Sequence, residues 1–150
     1  MLLILPVSVF SQIKKLEIRM HNKAFYDVFA YSDNNDTINV TQFDPWVELR
    51  DLKVSPDSTY FFYRYKTEGK AYRLVTVNLK SLKKVSEIIP GYGGDFEWNL
   101  NNQILHRWGC GTNCANFRVY NSNLEEIFFT LSSGGFIYSP DKTRVAQFNM

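Results

Sequence analysis

One short pattern recurs along this chain: an apolar strand, a tight polar turn and a second apolar strand. The turn is Ser55-Pro56-Asp57-Ser58 within LRDLKVSPDSTYFFYRY, and Ser139-Pro140-Asp141-Lys142 within GGFIYSPDKTRVAQFN. Between them, Asn99-Leu100-Asn101-Asn102 follows FEW as the other two follow LKV and FIY. With Asn99 in the place of the serines, the spacings are 44 residues (55 to 99) and 40 residues (99 to 139). Gly93-Gly94 before FEW and Gly134-Gly135 before FIY extend the echo. Ser or Asn opens each turn, and Asp57, Asn101 and Asp141 are the residues expected to cap its N–H groups. A period in the forties with several strands per unit is that of a propeller; helical repeats of similar length lack this alternation.

The segments between the turns come in fours. TYFFYRYK (59–66), AYRLVTVNL (71–79) and KVSEII (84–89) follow the first turn. DFEWNL, QILHRWG (103–109), ANFRVYN (115–121) and LEEIFFTL (124–131) come next, then FIYS and TRVAQFN. Phe, Tyr and Trp make up 16% of the residues, an enrichment that favours strands. Tyr72 and Leu74 alternate with Val75 and Val77, so these strands are apolar on both faces and their sheets are covered on both. The expected fold is therefore all-β, antiparallel four-stranded blades of a β-propeller. QIKKLEIRM and SLKKVSEII would also suit short amphipathic helices; the second ends at Pro90 and is read as a strand. Counting a c–d pair before Trp46 (AFYDVFAY and TINVTQF), two full a–b–c–d sets and a final a–b pair gives about three blades. Propellers usually have roughly 4 to 8, so the expectation is an incomplete propeller, a piece of a longer one or a chain that pairs through open sheet edges.

VSPDSTYFFYRY and IYSPDKTRVAQFN, with EWNLNNQILHRW as a degenerate middle copy, resemble the WD40-like "PD40" repeats of TolB-type β-propellers. The likeness covers roughly residues 24 to 149. The fourth motif position departs from the family's Gly, being Ser58, Asn102 or Lys142. Propellers of prolyl-oligopeptidase-type peptidases share the motif, so the resemblance implies a fold more than a task.

The chain opens with MLLILPVSVFSQ, an apolar run from Leu2 to Phe10 with no charge before Lys14. It is shorter than the roughly 20 residues a membrane-spanning helix needs. Val9 and Ser11 at the −3 and −1 positions suit a secretory signal cleaved before Gln12, although no basic residue precedes the run. The rival reading is a buried first strand. On the export reading, residues 1–11 are a signal peptide, residues 12–150 are one propeller-like domain, and the compartment is periplasmic or extracellular. A net charge of +2 gives no reason to expect nucleic acid.

Cys110 and Cys114, the only cysteines, flank Gly111-Thr112-Asn113 where a hairpin loop should fall. In an oxidising compartment they are expected to form a disulfide. The spacing is neither CxxC nor CxxCH, and a metal site built from His106, Cys110 and Cys114 would lack a fourth ligand. YSDNNDT (31–37) lacks the Gly and Glu of an EF-hand loop, GYGG (91–94) lacks the Lys of a P-loop, and Ser132-Ser133 forms no G-x-S-x-G elbow. With two histidines, a catalytic triad has few ways to be assembled, and His106 in an apolar strand reads as a packing residue. No cofactor is expected. Trp46, Tyr92, Trp98 and Trp108 fall near strand ends, where rings beside Asp44, Asp95 and Arg107 would suit a sugar or a peptide side chain; the alternative is inter-blade packing. The function expected is an exported, non-enzymatic propeller-like module binding an envelope protein, peptide or glycan. The alternatives are the propeller portion of a larger secreted, oligopeptidase-like hydrolase, or a purely structural envelope protein.

Overall fold

The computed structural model describes residues 12–21, 25–43, 47–112, 114–132 and 135–148. Every regular element among them is a strand, and every pairing is antiparallel. β1 (Ile13–His21), β2 (Phe25–Ser32) and β3 (Thr37–Asn39) form the first sheet in chain order. β4 (Val47–Val54), β5 (Tyr60–Thr67), β6 (Arg73–Asn78) and β7 (Lys84–Ile88) form a complete four-stranded blade. A second complete blade comprises β8 (Asp95–Trp98), β9 (Ile104–Gly111), β10 (Cys114–Tyr120) and β11 (Glu126–Ser132). β12 (Gly135–Tyr138) and β13 (Val145–Phe148) make a final pair. β1 and β2 lie against β4, β4 against β8, and β10 against β12, so the sheets pack in succession. This is an incomplete β-propeller.

QIKKLEIRM, open to a helical reading, is the strand β1, paired along its length with β2. Its inclusion changes the strand arithmetic. The two partial sheets hold three and two strands, one too many to merge into a single blade, so two complete blades stand between two partial ones.

The sequence of β5 explains why these sheets are covered on both sides. Phe61 and Tyr63 face the first sheet and pack with Val28, Val75 and Val77. Phe62 points the other way and packs with Leu74, Phe96, Trp98, Ile104, Tyr120 and Leu124. Phe61 and Phe62 are both fully buried, and each such burial contributes about 1.5–3 kcal/mol.

The polar turns share one hydrogen-bond plan. Ser55 N–H donates to Tyr60 O (2.9 Å) and Ser58 N–H to Ser55 O (2.9 Å). The same two bonds recur at Ser139 and Lys142, and at Asn99 and Asn102 with the first bond one residue shorter, Asn99 N–H donating to Gln103 O. Asp57 accepts from the Ser55 hydroxyl, Thr59 N–H and the Thr59 hydroxyl, and Asp141 accepts from Ser139 and Thr143 in the same way. In the middle copy the cap is Asn99, whose Oδ1 accepts from the N–H groups of Asn101 and Gln103 (both 2.9 Å). Asn101 was the expected cap and is instead a donor. Asn99 is two residues nearer the strand, which lets one amide span the whole turn.

The fourth position, occupied by Gly in the PD40 pattern, is left-handed in all three turns: φ is 56° at Ser58, 56° at Asn102 and 57° at Lys142. The same closure appears in the alternate turns at Ser32–Asn35 and Asn121–Leu124, and with one residue more at Asn78–Leu82. Asn35, Leu82 and Leu124 there have φ of 63°, 54° and 62°. The turn therefore recurs every half unit, about 22 residues on average from Ser55 to Asn99. In an antiparallel blade the a–b and c–d turns lie at one end, so all six share a rim. Neighbouring turns also touch: Asp57 N–H donates to Asn102 Oδ1 (3.2 Å) and Leu100 N–H to Asp141 O (3.3 Å).

Candidate functional site

The opposite rim carries the b–c and d–a connections, including Thr67–Lys70, Pro90–Gly94 and the loop between Cys110 and Cys114. Side chains alternate along β9, so His106 and Trp108 emerge on the face that β8 supplies with Phe96, the register partner of His106. Arg118 of β10 pairs in register with His106, and Phe129 of β11 with Arg118. The result is a row of rings running toward that rim. Phe96 and His106 stack at 3.9 Å, and His106 and Trp108 lie 4.5 Å apart. Trp108 is nearly parallel to both Tyr92 (5.2 Å, 7°) and Phe129 (6.1 Å, 9°). The Arg118 guanidinium sits 5.4 Å from the Trp108 ring and 4.8 Å from Phe129, held by Glu126 at 2.8 Å. From the preceding blade, Arg64 lies over Phe96 (4.5 Å) and Tyr72 (5.4 Å) and is paired with Asp51.

Gly94 lets the connection that carries Tyr92 lie against β9. Gly94 has φ 128°, and a Cβ there would stand 2.1 Å from the carbonyl oxygen of Arg107 and 2.9 Å from Trp108 Cβ. The connection thus lies flat on β9 and sets the Tyr92 ring on Trp108. Tyr92 is 62% exposed, whereas Trp108 is buried beneath it.

His106 is fully buried, with Nε2 3.2 Å from Gly93 O. Burial pushes its pKa down to about 4, against the opposing Gly93 hydrogen bond, so the ring is neutral near pH 7 and Nε2–H is the donor. Its place inside the ring row is that of a packing residue; solvent does not reach it.

Tyr92 and Trp108 are thus brought together. Trp98 is not with them: it lies in the inter-blade core 5.5 Å from Phe62, its indole N–H donating to Lys53 O (3.0 Å). Trp46 and Asp44 lie outside the described residues. Asp95 and Arg107 are register partners on the other face of the sheet. There they line a hollow of about 280 Å³ with Lys53, Glu97 and Leu105, and Glu97 is paired with Lys142. Cys110 and Cys114 form a disulfide with Cα atoms 5.1 Å apart, closing the loop at this rim. Ser32 and Asn35 of the acidic YSDNNDT stretch form a turn, and among the described residues no group of His, Cys, Asp and Glu could hold a metal ion. Sequence reading missed Arg118 and Phe129. The signal available was a lone arginine inside the apolar strand ANFRVYN.

In overall structure the chain is similar to a propeller-containing protein solved in a study of two prolyl endopeptidases and the role of inter-domain dynamics in their catalysis and specificity. The TM-score is 0.57 at 13% identity, over 81% of this chain and 22% of that one. At that identity the likeness is one of fold, and this chain spans about a fifth of its neighbour's length. No family profile matches the chain, and no curated protein matches it.

Proposed function

We propose that this chain is an exported, non-enzymatic propeller-like module of the TolB/PD40 kind that binds an envelope protein, peptide or glycan through the Tyr92 rim. The observation that carries the reading is the exposed Tyr92 ring lying parallel on buried Trp108, with Arg118 and Phe129 beside it. An exposed aromatic face stacked on a buried indole is a platform for another ring or a sugar's apolar face. The left-handed fourth residue of every turn supports the PD40 relationship, since it is the conformation for which that family carries Gly. Residues 1–11 read as a leader, and the Cys110–Cys114 disulfide suits an oxidising compartment.

The second reading, the propeller part of a larger secreted hydrolase, is compatible with the structural likeness to a prolyl endopeptidase. A downstream reading frame with a G-x-S-x-G motif would support it. The test of the first is binding of the exported chain to envelope peptide and glycan arrays, compared with Tyr92→Ala. Loss of a specific signal in the variant supports the rim; identical patterns for the two proteins sink it.

A further inference from the structure

We propose that the free edge of β1 is a docking site for an extended strand of a partner, apolar at alternate positions and acidic between them. The inference rests on the export reading above, in which the mature chain begins at Gln12. In both complete blades, strand b pairs with an inner strand a: β5 with β4 and β9 with β8. β1 runs as a strand b, its first residues lying beside the turn rim of the next blade. Yet among the described residues β1 pairs with β2 alone, which leaves a row of unmatched N–H and C=O groups on its other edge.

Beside the beginning of β1 is a groove of about 430 Å³. Ile13, Leu16, Val54 and Leu79 give it an apolar floor, and Lys14, Lys15 and Lys80, the last with a partner of its own, line its sides; among the described residues no Asp or Glu lines it. Lys14 and Lys15 are paired with Asp33 and Glu17 only at the surface, with 62% and 64% of the two lysine side chains exposed. Exposed pairs of this kind are weak and exchange readily. Backbone pairing along β1 would supply affinity, while the apolar floor and the lysines would select side chains. These three features together specify the strand: extended, alternating, acidic.

The probe is a blocked eight-residue peptide alternating Val and Glu, titrated into the exported chain, with a Val/Lys peptide as control. Hydrogen exchange of the β1 amides that point away from β2 should slow at least tenfold with the Glu peptide, binding should weaken with salt, and Lys14→Glu/Lys15→Glu should cost about tenfold in affinity. Equal binding of the Lys peptide, or unchanged β1 exchange at saturation, overturns the proposal. So does slow exchange, without peptide, of the β1 amides that point away from β2, because the edge would then already be filled by the chain's own first residues or by a second copy. Intact mass distinguishes the two failures: retained residues 1–11 refute the export reading, whereas a Gln12 start with an inert edge refutes only this inference.

Discussion

A few residues hold the ring row in place, and their substitution should show it. Gly94→Ala puts a methyl group against the Arg107 carbonyl at a φ that disfavours side chains, so a loss of about 3 kcal/mol or more is expected in denaturant unfolding. Ser58→Gly should do the reverse. It relieves a left-handed residue at φ 56° and should add about 0.5–1 kcal/mol, measured the same way. His106 gives a pH signature: its folded pKa is about 4, below the ordinary value near 6.5. The unfolded chain therefore binds the extra proton between those values. Stability should be full above about pH 6.5 and fall toward pH 4 by on the order of 3 kcal/mol, a slope that His106→Gln should abolish. Below that window the loss should pass to Asp57 and Asp141, which the Ser55 and Ser139 hydroxyls, respectively, hold below the usual carboxylate range. The caps Asp57 and Asp141 were legible because SPD is a turn word. Asn99 was not, because one amide can replace two residues of that word from a different place in the turn.

At the scale of strands and turns, the sequence was most informative where apolar periodicity and turn chemistry agreed. β5, β6, β9 and β10 fall within a residue or two of the expected segments. β1 resisted, since the pattern of Ile13, Leu16 and Met20 fits a helix as well as a strand, and the pairing with β2 decides it. The alternate turns at Asn78 and Asn121 also escaped notice. They have no Pro or Asp, and what they share with Ser55 is a hydrogen-bond plan rather than letters. The hairpin between β9 and β10 is closed by the disulfide. Alkylation of the denatured, unreduced protein should label no thiol, and Cys110→Ser/Cys114→Ser should lose about 2 kcal/mol while keeping its blades, as read by denaturant unfolding and far-UV circular dichroism. Two labelled thiols in exported material would contradict the pairing and reopen the metal and redox readings.

For the whole molecule, the repeat spacing was enough to foresee stacked antiparallel blades, but it could not say how the partial sheets relate, because that turned on the single ambiguous strand β1. Ile127 and Phe128 on β11 and Ile137 on β12 are about half exposed or more, beside a sheet of only two strands. Such a surface should associate, so light scattering on the purified 150-residue chain is expected to give a mass above the 17.5 kDa of a single copy that rises with concentration. A monomer that binds no hydrophobic dye would show that these edges are covered within the chain. The two rims also differ in how they should tolerate change over evolutionary time. On the turn rim each bonded loop fixes the register of two strands, and the three a–b turns touch one another in succession, so one inserted residue would turn a strand's core side chains outward. On the Tyr92 rim the d–a connections join strands of different sheets, so a change in their length shifts no pairing register. Homologous chains should accumulate their insertions and deletions there, diversifying one face of the molecule while the other stays constant in length.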